Sequence, residues 1–192
     1  NVEAGKPVKV IRAPKMGLRS GTALRKLSEE LENLAKSAGA KGLAWLAMPE
    51  TEDGEVKGPI GKYFTVEQKV ELIDRLQAEP GDMLLFISDT REVVYSVVDA
   101  LRQYIAQELD LIDPNVLCFL WVIDFPEFYW NEEEQRWDPS QHMFTMPLPE
   151  DLHLLDSDPG KARGSQYDLV CNGQEVAGGS IRIHDHDIQE KI

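Results

Sequence analysis

The sequence predicts an α+β protein in two parts, on three observations. Strand-like and helix-like segments alternate over residues 1–113. The pair Asp113-Pro114 then breaks the chain. Beyond it, apolar runs separated by acidic turns are typical of antiparallel β structure. We therefore expect a two-layer α/β sandwich of three helices on a sheet over residues 1–113, and part of an antiparallel β-sheet over residues 114–192.

The first helix of the first part is predicted from about Ala23 to Ala38, because its apolar residues recur in three- and four-residue steps. Thr22 would cap its start, and Gly39 would end it in the left-handed conformation. Strands are predicted on either side of this helix, over residues 8–13 and 42–48.

Two further helices follow a loop or short exposed hairpin over residues 50–61. Thr65 and Gln68 have capping-box spacing, and Pro80-Gly81 would stop the second helix. A central strand is predicted over residues 83–87, and Thr90 would cap the third helix. The residues predicted to line the inner face of the second helix are Val66, Val70, Ile73 and Leu76.

The second part begins with the apolar run Val116 to Phe125 and has further strands near residues 167–171 and 174–183. Its tryptophans are expected to pack on the sheet and not to stack on a ligand: Trp121, Trp130 and Trp137.

A glycine pair in the last strand indicates either a bulge or a place where a ligand approaches the backbone closely. Gly178-Gly179 lies between Glu175 and Arg182, which are seven positions apart. A regular strand would send these two side chains to opposite faces. If both serve one site, the strand must carry an extra residue near Ala177 to Gly179, and we predict a bulge there.

Composition limits the possible partners. The net charge is −14, with about −10 of it after residue 113. This excludes a chain that grips a phosphate backbone on its own, since that requires clustered Lys and Arg. Cys118 and Cys171 lie in apolar runs and are interpreted as buried thiols of a reducing compartment. No apolar run reaches the ~20 residues that span a membrane. We expect a cytoplasmic protein, and a segment of a longer chain.

Four ordered blocks closely resemble bacterial-type aspartyl-tRNA synthetases, a class II family. They are residues 120–126 (LWVIDFP), 142–147 (HMFTMP), 167–170 (YDLV) and 178–184 (GGSIRIH). Residues 39–44 (GAKGLA) and 81–86 (GDMLLF) are similar to the GAD domain that these enzymes insert into their catalytic core. The resemblance covers nearly the whole chain, and it implies a GAD-type domain over 1–113 and a partial class II core over 114–192.

The resemblance implies an enzyme that activates L-aspartate with ATP and passes it to tRNA(Asp). It implies that Glu175 and Asp168 hold ATP and, through it, Mg²⁺, since hard cations take oxygen ligands. Arg182 would bind the side-chain carboxylate of aspartate, with Gln141 and His142 beside it. Backbone at Gly178, Gly179 and Ser180 would approach the substrate closely. Without the pattern, these charges would be interpreted as solvated or ion-paired strand residues, and His142 as a packed neighbour of Phe144.

Gln141 departs from the family, which usually carries two consecutive histidines at this place. Glutamine can donate a hydrogen bond but cannot become cationic, so only a positional role remains for it.

The arginine-bearing and glycine-rich motifs of the family, and its anticodon-binding barrel, do not occur in these residues. We assign no catalytic residue, and we expect the chain alone to be inactive, with tRNA held mainly elsewhere in a homodimeric parent enzyme. The alternative is an interaction or tRNA-contact module without chemistry, since the GAD domain also occurs in glutamyl-tRNA amidotransferase.

Overall fold

The computed structural model of the chain describes residues 6–51 and 54–192. These residues form two compact units, which divide between Asp113 and Pro114. Helices and antiparallel sheets occur together, so the predicted α+β class is confirmed. Glu52 and Asp53 of the predicted loop over residues 50–61 lie outside the described residues.

The first unit is a three-stranded antiparallel sheet with three helices, and its strand order is β1-β3-β2. The strand predicted to be central, β3, is central. The elements are β1 (Val8–Ala13), α1 (Gly21–Ser37), β2 (Ala44–Ala47), α2 (Val66–Leu76), β3 (Met83–Ser88) and α3 (Arg91–Glu108).

The two sides of β3 belong to two separate apolar clusters, because side chains alternate along a strand. Met83, Leu85 and Ile87 pack with α1 and α3 in the main core, so two of the three predicted helices form a second layer on this face of the sheet. Leu84 lies in a smaller cluster that contains residues of α2. Burial of these alternating residues is what fixes the register of the sheet.

Helix ends differ from the sequence prediction at two places. Ser20 and not Thr22 is the N-cap of α1, so Thr22 lies inside the helix, while Gly39 has φ 101° beyond its end as predicted. The capping box of α2 is confirmed, but α2 ends at Leu76, because Gln77 adopts the left-handed conformation at φ 49° before Pro80 is reached.

The inner face predicted for α2 is wrong in its first half. Val66 and Val70 are 72% and 62% exposed. Only the C-terminal half of α2 packs against the sheet, through Leu72, Ile73 and Leu76. The apolar spacing alone does not say how far along the helix the sheet extends.

The second unit is built from short antiparallel strands. Its main sheet has the order β10-β9-β4, and two further strand pairs are β5 with β8 and β6 with β7. The elements are β4 (Phe119–Val122), β5 (Phe125–Pro126), β6 (Phe128–Asn131), β7 (Arg136–Pro139), β8 (Arg163–Gly164), β9 (Gln166–Cys171), β10 (Gln174–Ser180) and α4 (His186–Lys191).

The tryptophans of this unit pair with aromatic neighbours, whereas its cysteines are not buried as predicted. Trp130 and Trp137 meet edge to face with ring centroids 5.3 Å apart. Trp121 meets Tyr167 in the same way at 5.8 Å. Cys118 is exposed and Cys171 is half-buried, and both are free thiols. The prediction of two buried thiols is therefore wrong, because this end of the sheet has no covering layer. Within residues 6–51 and 54–192, no helix is long and apolar enough to cross a membrane.

Candidate functional site

The β9-β10 hairpin carries most of the predicted site residues, and a tight turn forms its end. Asn172 and Gly173 both have positive φ, 49° and 83°, as a two-residue hairpin turn of type I′ requires. The side chain of Asn172 accepts a hydrogen bond from the backbone N–H of Cys118 at 2.8 Å and donates one to the carbonyl of Val116 at 3.0 Å. The turn therefore also holds the start of β4.

The predicted bulge is present in β10, just before the range predicted for it. Glu175 lies opposite Val170 and Ala177 lies opposite Leu169, so Val176 is the extra residue. The glycine pair Gly178-Gly179 and the need to bring Glu175 and Arg182 to one face were the sequence signals for it.

Asp168 and Glu175 converge over Gly178. Asp168 is the cross-strand partner of Gly178. A Cβ atom added to Gly178 would lie 2.6 Å from Asp168 Oδ1 and 3.1 Å from Glu175 Oε1. Two carboxylates beside bare backbone form an oxygen-rich place that suits a hard divalent cation. The described residues contain no group of three or more such ligands, so phosphate or water oxygens would have to complete the shell.

Gly179, unlike Gly178, is covered by a side chain of the neighbouring strand. A Cβ atom there would lie 2.9 Å from Tyr167 Oη and about as close to the Tyr167 ring. Since Tyr167 is the cross-strand partner of Gly179, the ring covers the face opposite to Asp168. Gly178 therefore faces the carboxylates, while Gly179 leaves room for the molecule's own tyrosine.

Arg182 follows β10 and lies beside the segment 142–145. Its backbone pairs with Thr145, and the backbone N–H of Ile183 donates to the carbonyl of Phe144 at 3.1 Å. The exposed guanidinium donates through Nη1 to His142 Nε2 at 2.8 Å and lies 4.6 Å from the centre of the Phe144 ring. The sequence-predicted neighbours Arg182 and His142 are thus in contact.

Hydrogen bonds hold His142 in one orientation. Its ring stacks on Phe144 at 4.0 Å, and Nδ1 lies 3.0 Å from Thr145 Oγ1. Thr145 in turn donates to Ser180 Oγ at 3.4 Å. Arg182 Nη1 also lies 3.2 Å from His142 Nδ1, so the guanidinium donates to whichever ring nitrogen carries no hydrogen. His142 is therefore both packed, as the simpler interpretation required, and bonded to Arg182.

Arg182 differs from every other basic side chain of the second unit, all of whose residues the structure describes. The other four each have a carboxylate within salt-bridge distance: Arg136, Lys161, Arg163 and Lys191. Arg163 has three carboxylates within salt-bridge distance, and Asp151 accepts from its Nε at 2.7 Å. This hydrogen bond is the main reason that the pKa of Asp151 lies below its usual value. Arg182 has no carboxylate partner in this unit.

Gln141 lies at the rim of a small pocket that sequence reasoning missed. It is exposed and lines this pocket together with Glu127, His142, Thr145 and Gln166. Glu127 is only 4% exposed, and burial raises its pKa to about 7. Its only sequence signal is an acidic residue inside the apolar run FPEF, which does not reveal its burial.

Comparison with known proteins gives matches over both units. Residues 1–98 match the GAD domain family. An aspartate–tRNA ligase of Clostridium botulinum (strain Langeland) is 42% identical over 191 residues, which is 100% of this chain and 31% of the relative. An aspartate–tRNA ligase of Clostridium tetani is 46% identical over 170 residues, 88% of this chain and 28% of the relative. The chain thus spans about a third of the length of these curated relatives.

Proposed function

The chain belongs to the GAD domain family, and from this premise we propose that it is a segment of an aspartate–tRNA ligase. In this proposal, residues 1–113 are the inserted GAD domain and residues 114–192 are part of the catalytic core. The parent enzyme, a cytoplasmic homodimer, activates L-aspartate with ATP to aspartyl-AMP and transfers the aspartyl group to tRNA(Asp). Support comes from the similarity to named ligases along the whole chain.

The observation that carries the proposal is the uncompensated charge of Arg182. Each of the other four basic side chains of its unit is paired with an acid, whereas the guanidinium of Arg182 is exposed and contacts the His142 imidazole and the Phe144 ring. Such a planar donor suits the side-chain carboxylate of aspartate and disfavours asparagine, whose amide would direct N–H groups at N–H groups. His142 would keep the guanidinium oriented, with Gln141 beside the same ligand.

The second half of the proposed site is the carboxylate pair at Gly178. Asp168 and Glu175 would hold the Mg²⁺ that accompanies ATP, through their carboxylate oxygens. When bound, Mg²⁺ neutralises charge on the leaving pyrophosphate. The chain's own contribution would be to orient the two carboxylates by the bulge at Val176 and to leave space for nucleotide at Gly178. Gly179 and Ser180 continue the same strand toward Arg182.

Substitution of Arg182 in the full-length enzyme tests this assignment. Aspartate-dependent ATP–pyrophosphate exchange by Arg182→Ala should fall by about 100-fold or more in kcat/KM for aspartate, because a charge-assisted bidentate contact is lost. Arg182→Lys should recover only part of it. Arg136→Ala is the matched control, since this arginine is exposed but already paired with Glu134 and Asp138. Exchange that survives Arg182→Ala unchanged would overturn the proposed role.

The isolated chain should form no aspartyl-adenylate, because the cationic groups expected to neutralise the triphosphate are not among its residues. Pyrophosphate exchange by the purified 192-residue chain measures this directly, with the full-length enzyme as the positive control. Turnover by the isolated chain would contradict the proposal that other segments complete the site.

A second function, a non-catalytic interaction or tRNA-contact module, is favoured for the first unit by one observation. That unit has its own buried core and contains none of the proposed site residues. Removal of residues 1–113 from the full-length enzyme should therefore leave adenylate formation largely intact and alter the later step with tRNA. If deletion of residues 1–113 abolished exchange and Arg182→Ala left exchange unchanged, the two assignments would be reversed.

A further inference from the structure

Glu127 is a buried acid whose position is fixed by the backbone on both sides. Its N–H donates to the carbonyl of Ala162 and its carbonyl accepts from the N–H of Ser140, both at 2.8 Å. The side chain is 4% exposed. A carboxylate at such a place loses its hydration, and this is costly unless a partner replaces the water.

The carboxyl group occupies space that the absence of a side chain at Gly164 creates. A Cβ atom added to Gly164 would lie 2.3 Å from Glu127 Oε2 and 3.2 Å from Thr145 Cγ2. Gly164 has no positive φ, so the backbone itself would accept alanine there. The glycine therefore admits the acid next to Thr145, and hence next to the segment that holds His142 and Arg182.

No hydrogen bond or ion pair to another described residue satisfies the Glu127 carboxyl group. Burial is the only cause that shifts its pKa, which rises to about 7, so close to neutral pH the protonated and ionised forms coexist. The ionisable groups on the surrounding segments add nothing to the shift: Asp124, Asp138, His142, Arg163 and Asp168.

Two primary amides line the pocket together with Glu127, those of Gln166 and Gln141, and the one that belongs to the segment carrying His142 is Gln141. Among the described residues, its side-chain amide has no hydrogen bond either, whereas His142 and Thr145 are already bonded. A protonated carboxyl group and a primary amide are complementary, because each offers one donor and one acceptor side by side. An ionised carboxylate can only accept, so it loses one of the two bonds.

We propose that Glu127 is a positioning residue for the segment 141–145, and that in its protonated form it pairs with the side-chain amide of Gln141 across the pocket they share. The pair holds Gln141 and His142 in the geometry that presents Arg182 to a carboxylate. The consequence for substrate binding rests on the proposed function, whereas the pairing itself does not.

Kinetics of the full-length enzyme test the consequence of this pairing for aspartate binding. Between pH 6 and pH 8 the KM for aspartate should rise by roughly tenfold as Glu127 ionises, with a smaller change in kcat. Glu127→Gln cannot ionise and should keep the low KM over the whole range, whereas Gly164→Ala, which displaces the carboxyl group, should raise KM at low pH. Glu133→Gln on the exposed turn of the same hairpin is the matched charge control. If the KM for aspartate depends on pH in Glu127→Gln as it does in the wild type, Glu127 does not control aspartate binding.

Nuclear magnetic resonance on the 192-residue chain tests the pairing without any activity. The side-chain amide signals of Gln141 should titrate with a midpoint near pH 7, and Glu127→Gln should abolish this titration while the remaining spectrum reports an intact fold. Titration of the Gln166 amide with a silent Gln141 would overturn the proposed pair. If the amide titrates but the enzyme shows no aspartate-dependent exchange, the pairing stands and the proposed function fails.

The pH dependence of folding stability tests the raised pKa of Glu127 without any enzyme activity. Because this pKa is raised from 4.5 to about 7 on folding, protonation of Glu127 stabilises the fold fully below about pH 4.5, and this stabilisation is lost as pH rises through 7. The unfolding midpoint of the wild-type chain in urea should therefore fall over this interval relative to Glu127→Gln. Parallel pH curves for the two chains would contradict a buried, unpaired acid at this position.

Discussion

Gly178 sets how closely Asp168 and Glu175 approach each other. Because a Cβ atom there would stand 2.6 Å from one carboxylate and 3.1 Å from the other, Gly178→Ala must push both side chains apart. Both contacting atoms are the ends of side chains, so the fold should survive. In the full-length enzyme we expect a fall of about 10- to 100-fold in exchange, mainly through KM for ATP, since small misplacements of charged groups are costly.

Gly42→Ala supplies the control for this change. Gly42 is exposed and a Cβ atom there would meet only Glu32, at 3.9 Å. The activity and melting temperature of Gly42→Ala should match those of the wild type. If Gly178→Ala is as active as Gly42→Ala, the carboxylates do not act from the positions seen here.

Residues whose role follows from neighbours in sequence were predictable, and those whose role follows from distant contacts were not. Thr65 caps α2 through Gln68, three residues away. Glu127, by contrast, is buried by Ala162 and Gly164, more than thirty residues later, and its own sequence context carries no sign of them. The same holds for Gln77, whose left-handed conformation ends α2 without a glycine.

Among the elements, β10 is set apart by its single extra residue. Removal of Val176 would restore a regular strand in the same register, with Glu175 still opposite Val170 and therefore still on the face of Asp168. Deletion of Val176 in the full-length enzyme should therefore keep both carboxylates on one face and lower exchange by less than about tenfold, through loss of the local twist of the bulge.

Val176→Ala separates this effect from the loss of a side chain. Val176 is 55% exposed, so its truncation keeps the bulge and should change activity by less than about threefold. Circular dichroism of both variants shows whether the hairpin persists. A loss of exchange of about 100-fold or more in the deletion, with the truncation unaffected, would mean that the twist of the bulge itself positions Glu175.

Element prediction was best for the first and the central strand of the first sheet. β1 spans Val8–Ala13 as predicted, and β3 alternates between two cores. For β10 the bulge followed from a functional argument about two charges and not from hydrophobic spacing, since most of this strand is exposed. The extent of α2 against the sheet depends on where the sheet stops, which local spacing does not encode.

At the scale of the molecule, the two units differ in how fully they are covered. The first has two apolar clusters, whereas in the second the sheet face opposite Asp168 is open. Phe119, Trp121 and Tyr167 on this face are 59%, 60% and 42% exposed. Adjacent exposed aromatic residues of this kind mark a surface that another protein segment normally covers.

The isolated chain is therefore expected to self-associate through this face. Light scattering after size exclusion should show a mass that rises with concentration, and Phe119→Ser with Trp121→Ser should shift the chain toward the monomer. Tyr63→Ser is the control, because Tyr63 is 72% exposed but belongs to the first unit. Association that persists unchanged in the double variant would place the contact elsewhere.

The turn residue Asn172 imposes an order of events on folding. β9 and β10 are joined by two residues, whereas β4 reaches them only by closing a loop of more than fifty residues, and the entropy of loop closure makes such a contact late. Asn172 bonds to both Val116 and Cys118, so it can retain β4 only after the hairpin has formed. Asn172→Gly, which keeps the left-handed turn and removes only the side-chain bonds, should accordingly hasten unfolding and leave the refolding rate of the second unit almost unchanged, which stopped-flow kinetics would reveal.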